Sequence, residues 1–359
     1  MRHIKTPGIK NKRGRNTVLC ASEETEIVKW MTGSIERGAP PGSLDVLEAA
    51  NVVLKRRLGT DSSTLGRGWL QRFIARQKIT YRVPDKLNKA SANITQRNIQ
   101  GWFDQVSLYI ALRPEFFDAM CNNQRVFNAD ESMFRLESSA SRVLAPKGTK
   151  SVYQVTKDGK YGLTIMATFG ANRKACKPFI IFAQERISKS LHESFPHDEA
   201  HCAATKSGWM DSPTFCIYLH RFAEEIRQNG IELPVILFVD NHSSHASLES
   251  SETAEKLGIK IIFLYPNATF LLQPADVAIF RSLKSHWREE NRIAKHNGVT
   301  ITKHNFTSLF LNAFKKISPE VIKMGFFRSG IVPWDSTNVD YSKCLGKKKS
   351  GKQFFLSED

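Results

Sequence analysis

Three aspartates stand where a chain can do chemistry. Asp130 closes the extended run "VFNA" led by apolar Val126 and Phe127, Asp240 closes the run "VILFV", and Asp276 follows Pro274 at the entry to a long helical pattern. Carboxylates are costly to bury unless something pairs with them. Three meeting at two strand ends and a helix start would repel one another, and divalent cations would relieve that repulsion. Hard oxygen donors select Mg²⁺ or Mn²⁺. Two such ions about 4 Å apart activate a water or a 3′-hydroxyl and stabilise the leaving oxygen in phosphodiester chemistry. Each aspartate alone reads as a turn or cap residue; the three together read as a metal site.

The elements that must position them follow from periodicity. "RVFNADESMFRL" reads as a strand ended by Asp130, "SRVLAP" as a shorter one, and "GLTIMATFGANRKACKPFIIFA" as two strands joined at 172–174. "SGWMDSPTFCIYLHRFAEEIRQNG" reads as a helix capped by Asp211 or Ser212, opened by Pro213 and ended by Gly230. "PVILFVDNHSSH" and "IKIIFLYPN" are buried strands around the helix "LESSETAEKLG", and "LLQPADVAIFRSLKSHWREENRIAKHN" is a long helix. Antiparallel strands followed by alternating helix and strand give a mixed sheet with helices on both faces, an RNase H-like pattern. Glu131 would face away from Asp130 and pair with a nearby arginine. Asn241, His242, Ser244 and His245 form the turn after Asp240; Asn241 and His245, with Lys284 on the last helix, are expected to support the site. "HDEAHC" at 197–202 sits in a polar insertion and carries too few ligands for a metal.

The chain has 359 residues, with 52 Lys and Arg against 35 Asp and Glu, a net charge of +17. Residues 1–89 hold 18 basic and 8 acidic side chains, so +10, and the other 270 carry +7. A basic first quarter fits a polyanion, most simply double-stranded DNA. Six cysteines without a CxxC pair fit reduced thiols and no structural zinc. Apolar runs are too short to cross a bilayer, and the basic start has no apolar signal core.

In the basic part, the helical spacing of Ile27, Trp30, Met31 and Ile35 gives one helix, capped by Ser22. Val46, Leu47, Ala50 and Leu54 give a second, capped by Ser43. "LGRGWLQRFIARQKI" gives a third. Trp69, Leu70, Phe73 and Ile74 would face the core, leaving Arg67, Gln71, Arg72, Arg76 and Lys78 for DNA. That is a helix-turn-helix arrangement. Lys12, Arg13 and Arg15 would lie in a minor groove as a flexible arm or serve nuclear import. The segment 90–124 reads as a helical connector with Ile99, Trp102, Phe103, Val106 and Ile110 on its apolar face. Phe326, Phe327, Ile331 and Trp334 read as packing on the second domain.

"GRGWLQRFIARQKI" followed by "YRVPDKLNKA" resembles the second helix-turn-helix of centromere protein B and of pogo/Tigger/jerky-type transposases. "FNADES", "FVDNHSSH", "IIFLYPNATFLLQPADVAIFRSLK" and "GFFRSGIVPWD" resemble the signature blocks of their DDE endonuclease domain, in order. "DESM" and Ala275 depart from the usual residues. The resemblance implies Asp130, Asp240 and Asp276 as catalytic metal ligands for two Mg²⁺ or Mn²⁺ ions, metal-dependent strand cleavage and strand transfer at transposon ends, and a nuclear location. It divides the chain into a basic arm (1–21), the DNA-binding domain (22–89), the connector (90–124), the RNase H-like endonuclease domain (125–335) and a basic, disordered tail (336–359). Relatives carry another helix-turn-helix upstream, expected here to be missing or truncated. A homodimer is left open. The rival readings are a catalytically idle DNA-binding scaffold, as in centromere protein B, and an RNase H-like nuclease acting on RNA.

Overall fold

Alternation along the strands decides the architecture. In the computed structural model, residues 18–36, 40–59, 64–82, 90–136, 146, 162–242, 244–245 and 247–344 are described. The chain divides into two compact units between Asn93 and Ile94. Lys12, Arg13, Arg15, the shorter strand expected around 141–146 except Pro146, and the tail 345–359 lie outside the described residues.

The first unit holds α1 (Ala21–Glu36), α2 (Ser43–Leu58) and α3 (Arg67–Arg76). The caps sit one or two residues before the expected serines. Cys20 N–H donates to Glu23 Oε2 at 2.7 Å ahead of α1, and Gly42 N–H donates to Asp45 Oδ2 at 2.7 Å ahead of α2. An acid three residues on satisfies the free amide and sits well with the helix dipole. Ile27, Val46, Ala50, Val53, Leu54, Trp69, Leu70 and Phe73 close one small core, with the Trp69 and Phe73 rings stacked at 4.9 Å. Asn51 fixes the entry to α3, its Oδ1 accepting from Leu65 N–H at 2.6 Å.

Arg67, Gln71, Arg72 and Lys78 are exposed. Arg76 is committed within the domain instead. Its guanidinium pairs with Glu24, which is only 4% exposed, and Gln77 Nε2 donates to the same carboxylate at 2.9 Å. Burying Glu24 in the helix junction demands a cation, and Arg76 supplies it.

The second unit is a six-stranded mixed sheet of order β4-β3-β2-β1-β5-β6. β1 (Val126–Arg135), β2 (Gly162–Gly170) and β3 (Phe179–Ala183) run antiparallel in succession; β5 (Val235–Val239) joins β1 in parallel, and β6 (Ile259–Phe263) joins β5 in parallel. Side chains alternate between two cores. Val126, Ile165, Ile180, Ile236 and Phe238 face one; Phe127, Met166, Ile181, Leu237 and Val239 face the other. Helices cover both faces, so β5 reads as an unbroken apolar run. On one face lie α7 (Ser212–Gln228) and α8 (Leu248–Lys256). The other face is covered by α4 (Gln96–Ala111), α5 (Pro114–Cys121), α9 (Thr269–Leu272), α10 (Phe280–His296), α11 (Phe306–Phe314) and α12 (Pro319–Arg328).

Three expectations are corrected here. The stretch read as a connector, 90–124, belongs to the second unit from Ile94 on. Its apolar stripe needs a partner, and Trp102 finds one: its ring packs on Trp334 at 5.4 Å and its Nε1 donates to Phe263 O at 3.1 Å. The "polar insertion" contains α6 (Lys189–Ser194) and β4 (His201–Thr205), which adds to the sheet in parallel with β3. A five-residue edge strand half open to solvent carries little alternation to read. The fold also runs past 335: Val339 and Cys344 are buried in the main core, so the tail starts later than expected. Of the C-terminal packing residues, Phe326 and Ile331 are buried while Phe327 is exposed.

Arg76→Ala should destabilise the first unit by about 2–3 kcal/mol, because Glu24 is left buried without its cation. Arg72→Ala, one turn earlier on the exposed side, should change it by less than about 0.5 kcal/mol. Amide exchange of α1–α3 in the full chain measures both, and equal effects would refute the assignment.

Candidate active site

Asp130 does not end its strand. β1 continues to Arg135, and Asp130 pairs with Ala167 of β2 in mid-strand. What ends there is the other neighbour: the last β1–β5 pair is Asn128 with Phe238. β1 therefore runs on past the tip of β5, still paired with β2, and Asp130 lines the notch beside Asp240, the first residue after β5. Asp276 enters from the third side, in a π-helical turn (Ala275–Ile279) that opens α10. Such turns admit one residue more than an α-turn and often mark functional positions. α12 packs on this turn, and Gly325 allows it: a Cβ there would stand 2.8 Å from Pro274 O.

A buried amide pair joins these segments. Asn128 and Gln273 are both fully buried. Asn128 Nδ2 donates to Phe238 O at 2.9 Å and to Gln273 Oε1; its Oδ1 accepts from Ala275 N–H at 3.2 Å. Gln273 Nε2 donates to Ala129 O at 3.2 Å. No local pattern in the sequence marks these two residues, since their roles depend on contacts 145 positions apart.

The acids feel one another. Burial holds Asp130 well above the ordinary carboxylate range, and the charges of Asp276 and Asp240 push the same way, against hydrogen bonds from Gln273 and the Glu131 amide. Asp276 is raised by burial and by Asp240, and moderated by Lys284 and Thr269. Asp240 is lowered: burial pushes it up, but His245, helped by His242, outweighs it.

His245 is the companion of Asp240. Its side chain is 2% exposed, and its Nδ1 stands 2.8 Å from Asp240 Oδ1. Its Nε2 is 3.4 Å from Glu131 Oε1, an ion-pair distance. The Phe215 ring backs it at 4.4 Å. Flanked by two acids, it is pushed up to about 9 despite burial, which alone would lower it. Glu131 faces away from Asp130, as the pleat requires, but its partner is this histidine and not an arginine. Lys284 lies 5.6 Å over the Phe280 ring and near enough to Asp276 to lower it. Asn241 is exposed beside Asp240.

Among the described residues, no three His, Cys, Asp or Glu side chains enclose a single ion. The chemistry of the donors is nevertheless that of a divalent-cation site: hard oxygens only, mutually destabilised, with Asp130 sensing both of the others. Asp130→Asn should raise the melting temperature of the metal-free protein by about 2–4 °C, for roughly 1 kcal/mol of repulsion removed. A melting temperature in chelator that is unchanged or lower would refute the repulsion.

Comparison with known proteins bears on both units. Residues 20–83 match the Tc5 transposase DNA-binding domain, and residues 160–326 match the DDE superfamily endonuclease, a span holding Asp240 and Asp276 with Asp130 just upstream. The Mos1 mariner paired-end complex with Mn aligns over 96% of this chain and 83% of that one, at TM-score 0.55 and 10% identity. The Mos1 strand transfer complex aligns over 99% and 83%, at TM-score 0.51 and 11% identity. These likenesses concern the fold. A Cochliobolus lunatus protein named MFS-type transporter clz9 is 24% identical over 340 residues, covering 92% of this chain and 35% of that protein. The chain thus spans about a third of that relative, and among its own described residues no helix is long and apolar enough to cross a membrane. The chain carries a Tc5 transposase-type DNA-binding domain followed by a DDE superfamily endonuclease domain.

Proposed function

We propose that this chain acts on double-stranded DNA as a metal-dependent transposase of the pogo/Tigger kind, cutting at the ends of a DNA element and joining them to a target. The observation that carries the reading is the notch at the tip of β5, where Asp130, Asp240 and Asp276 repel one another. Asp130, Asp240 and Asp276 would together hold two Mg²⁺ or Mn²⁺ ions. When bound, the ions lower the pKa of an attacking water or 3′-hydroxyl and stabilise the leaving oxygen.

The chain's own residues do the rest. His245 orients the Asp240 carboxylate and, with Phe215 behind it, keeps that side of the site dry. Lys284, near Asp276, is placed to hold a phosphate oxygen. In the first step water adds to phosphorus and the 3′ oxygen leaves as a hydroxyl. In the second that hydroxyl attacks a phosphodiester of target DNA, releasing a target 3′-hydroxyl. On the first unit, Arg67, Gln71 and Arg72 reach the major groove, with Lys78 on phosphate. Lys12, Arg13 and Arg15 would add contacts from the arm. A chain acting on chromosomal DNA in this way would work in the nucleus, and two ends to be joined would make a homodimer the natural assembly.

Purified protein with Mn²⁺ should nick or join DNA bearing the terminal repeats that flank its own gene. Asp240→Ala should abolish the reaction and leave DNA affinity within about twofold. Binding without any cutting by the wild type would favour the scaffold reading instead, and cutting of RNA in preference to DNA would favour the ribonuclease reading. Arg72→Ala should weaken DNA binding by about 1–3 kcal/mol if it reads a base. Binding by the wild type should fall steeply as salt is raised. A flat salt dependence would remove the basic unit from the account.

A further inference from the structure

We infer that Asn128 and Gln273 are positioning residues that hold the three acids in register, an inference that deepens the metal-dependent reading and rests on it. Every partner in the network lies close to one of the three aspartates. Asn128 is two residues before Asp130, and it bonds Phe238, two before Asp240, and Ala275, one before Asp276. Gln273, three before Asp276, returns a bond to Ala129, one before Asp130. Its side chain also donates toward the Asp130 carboxylate itself.

The amide orientations are dictated by these partners. Nδ2 of Asn128 faces two acceptors and Oδ1 faces an N–H, so a flipped amide would lose three bonds. Gln273 is fixed in turn, because its Oε1 accepts from Asn128 and its Nε2 faces the Ala129 carbonyl.

A core needs no amides at this depth. Both residues are completely buried, where leucine or methionine would fold at no polar cost. Apolar packing, however, is non-directional and sets no register. Hydrogen bonds at about 3 Å do, and these cross from β1 to β5 and from β1 to the π-turn, the two junctions that sheet pairing leaves unfixed beyond Asn128. The pair touches no reacting atom, so its effect on chemistry runs through the carboxylates.

The test uses the full chain and Mn²⁺ alone. Gln273→Met fills the same volume but breaks the bonds to Asn128, Ala129 and Asp130. Titration calorimetry should show Mn²⁺ affinity at least tenfold weaker, while affinity for element-end DNA stays within twofold. Amide exchange of the metal-free variant should rise together in segments 126–132 and 270–280. Should that variant fail to fold, Gln273→Asn keeps a buried amide one carbon too short to span both strands, and the same changes are expected. Mn²⁺ affinity within twofold of wild type in a folded variant, with exchange rising only at 270–280, would overturn the inference. A wild type that takes up no Mn²⁺ would refute the metal reading separately, and the exchange result still decides the pair.

Discussion

Like-charge repulsion is the constraint around which the second unit is built. Asp130, Asp240 and Asp276 come from strand, strand tip and helix entry; Asp130 is raised by the charges of both others, and Asp276 by that of Asp240. Nothing in that cluster would keep it together by itself. A sheet covered on both faces supplies the rigidity: β1 is locked to β2 along nine residue pairs, and β5 is buried throughout. The repulsion is thus stored against a stiff frame, a common trade of stability for a prepared site.

The frame is asymmetric in a useful way. Of the three aspartates His245 pairs with Asp240, from the α7 side of the sheet, and leaves that carboxylate the most acidic of the three. Asp130, in the middle, has no cation of its own and senses both neighbours. A cation arriving at this notch would find one acid already charged and oriented and one that gains most from neutralisation. The amide pair beneath adds direction where strand pairing stops.

Much of this was legible in the sequence, and the failures have physical reasons. The three aspartates were visible because each sits at a break in a strong apolar pattern, and the buried strands and Asp-capped α7 follow from the same patterns. The mixed sheet followed from their order. Asp130 was placed at a strand end because apolar alternation stops there, yet the backbone ladder with β2 needs no apolar side chains to continue. β4 was missed because a short edge strand need not alternate. Arg76 was put on the DNA face by helical phase alone, which says nothing of a buried acid 52 residues earlier in the chain. Asn128 and Gln273 were invisible for the same reason: their partners are distant, and polar residues inside a strand and before a proline look like ordinary interruptions.

The most direct measurement is electron paramagnetic resonance of Mn²⁺ added to the wild-type chain with element-end DNA. The account predicts two protein-bound, exchange-coupled ions per chain, with the coupling lost in Asp130→Ala while DNA stays bound. Only uncoupled or solvent-like Mn²⁺ at saturating metal would contradict it.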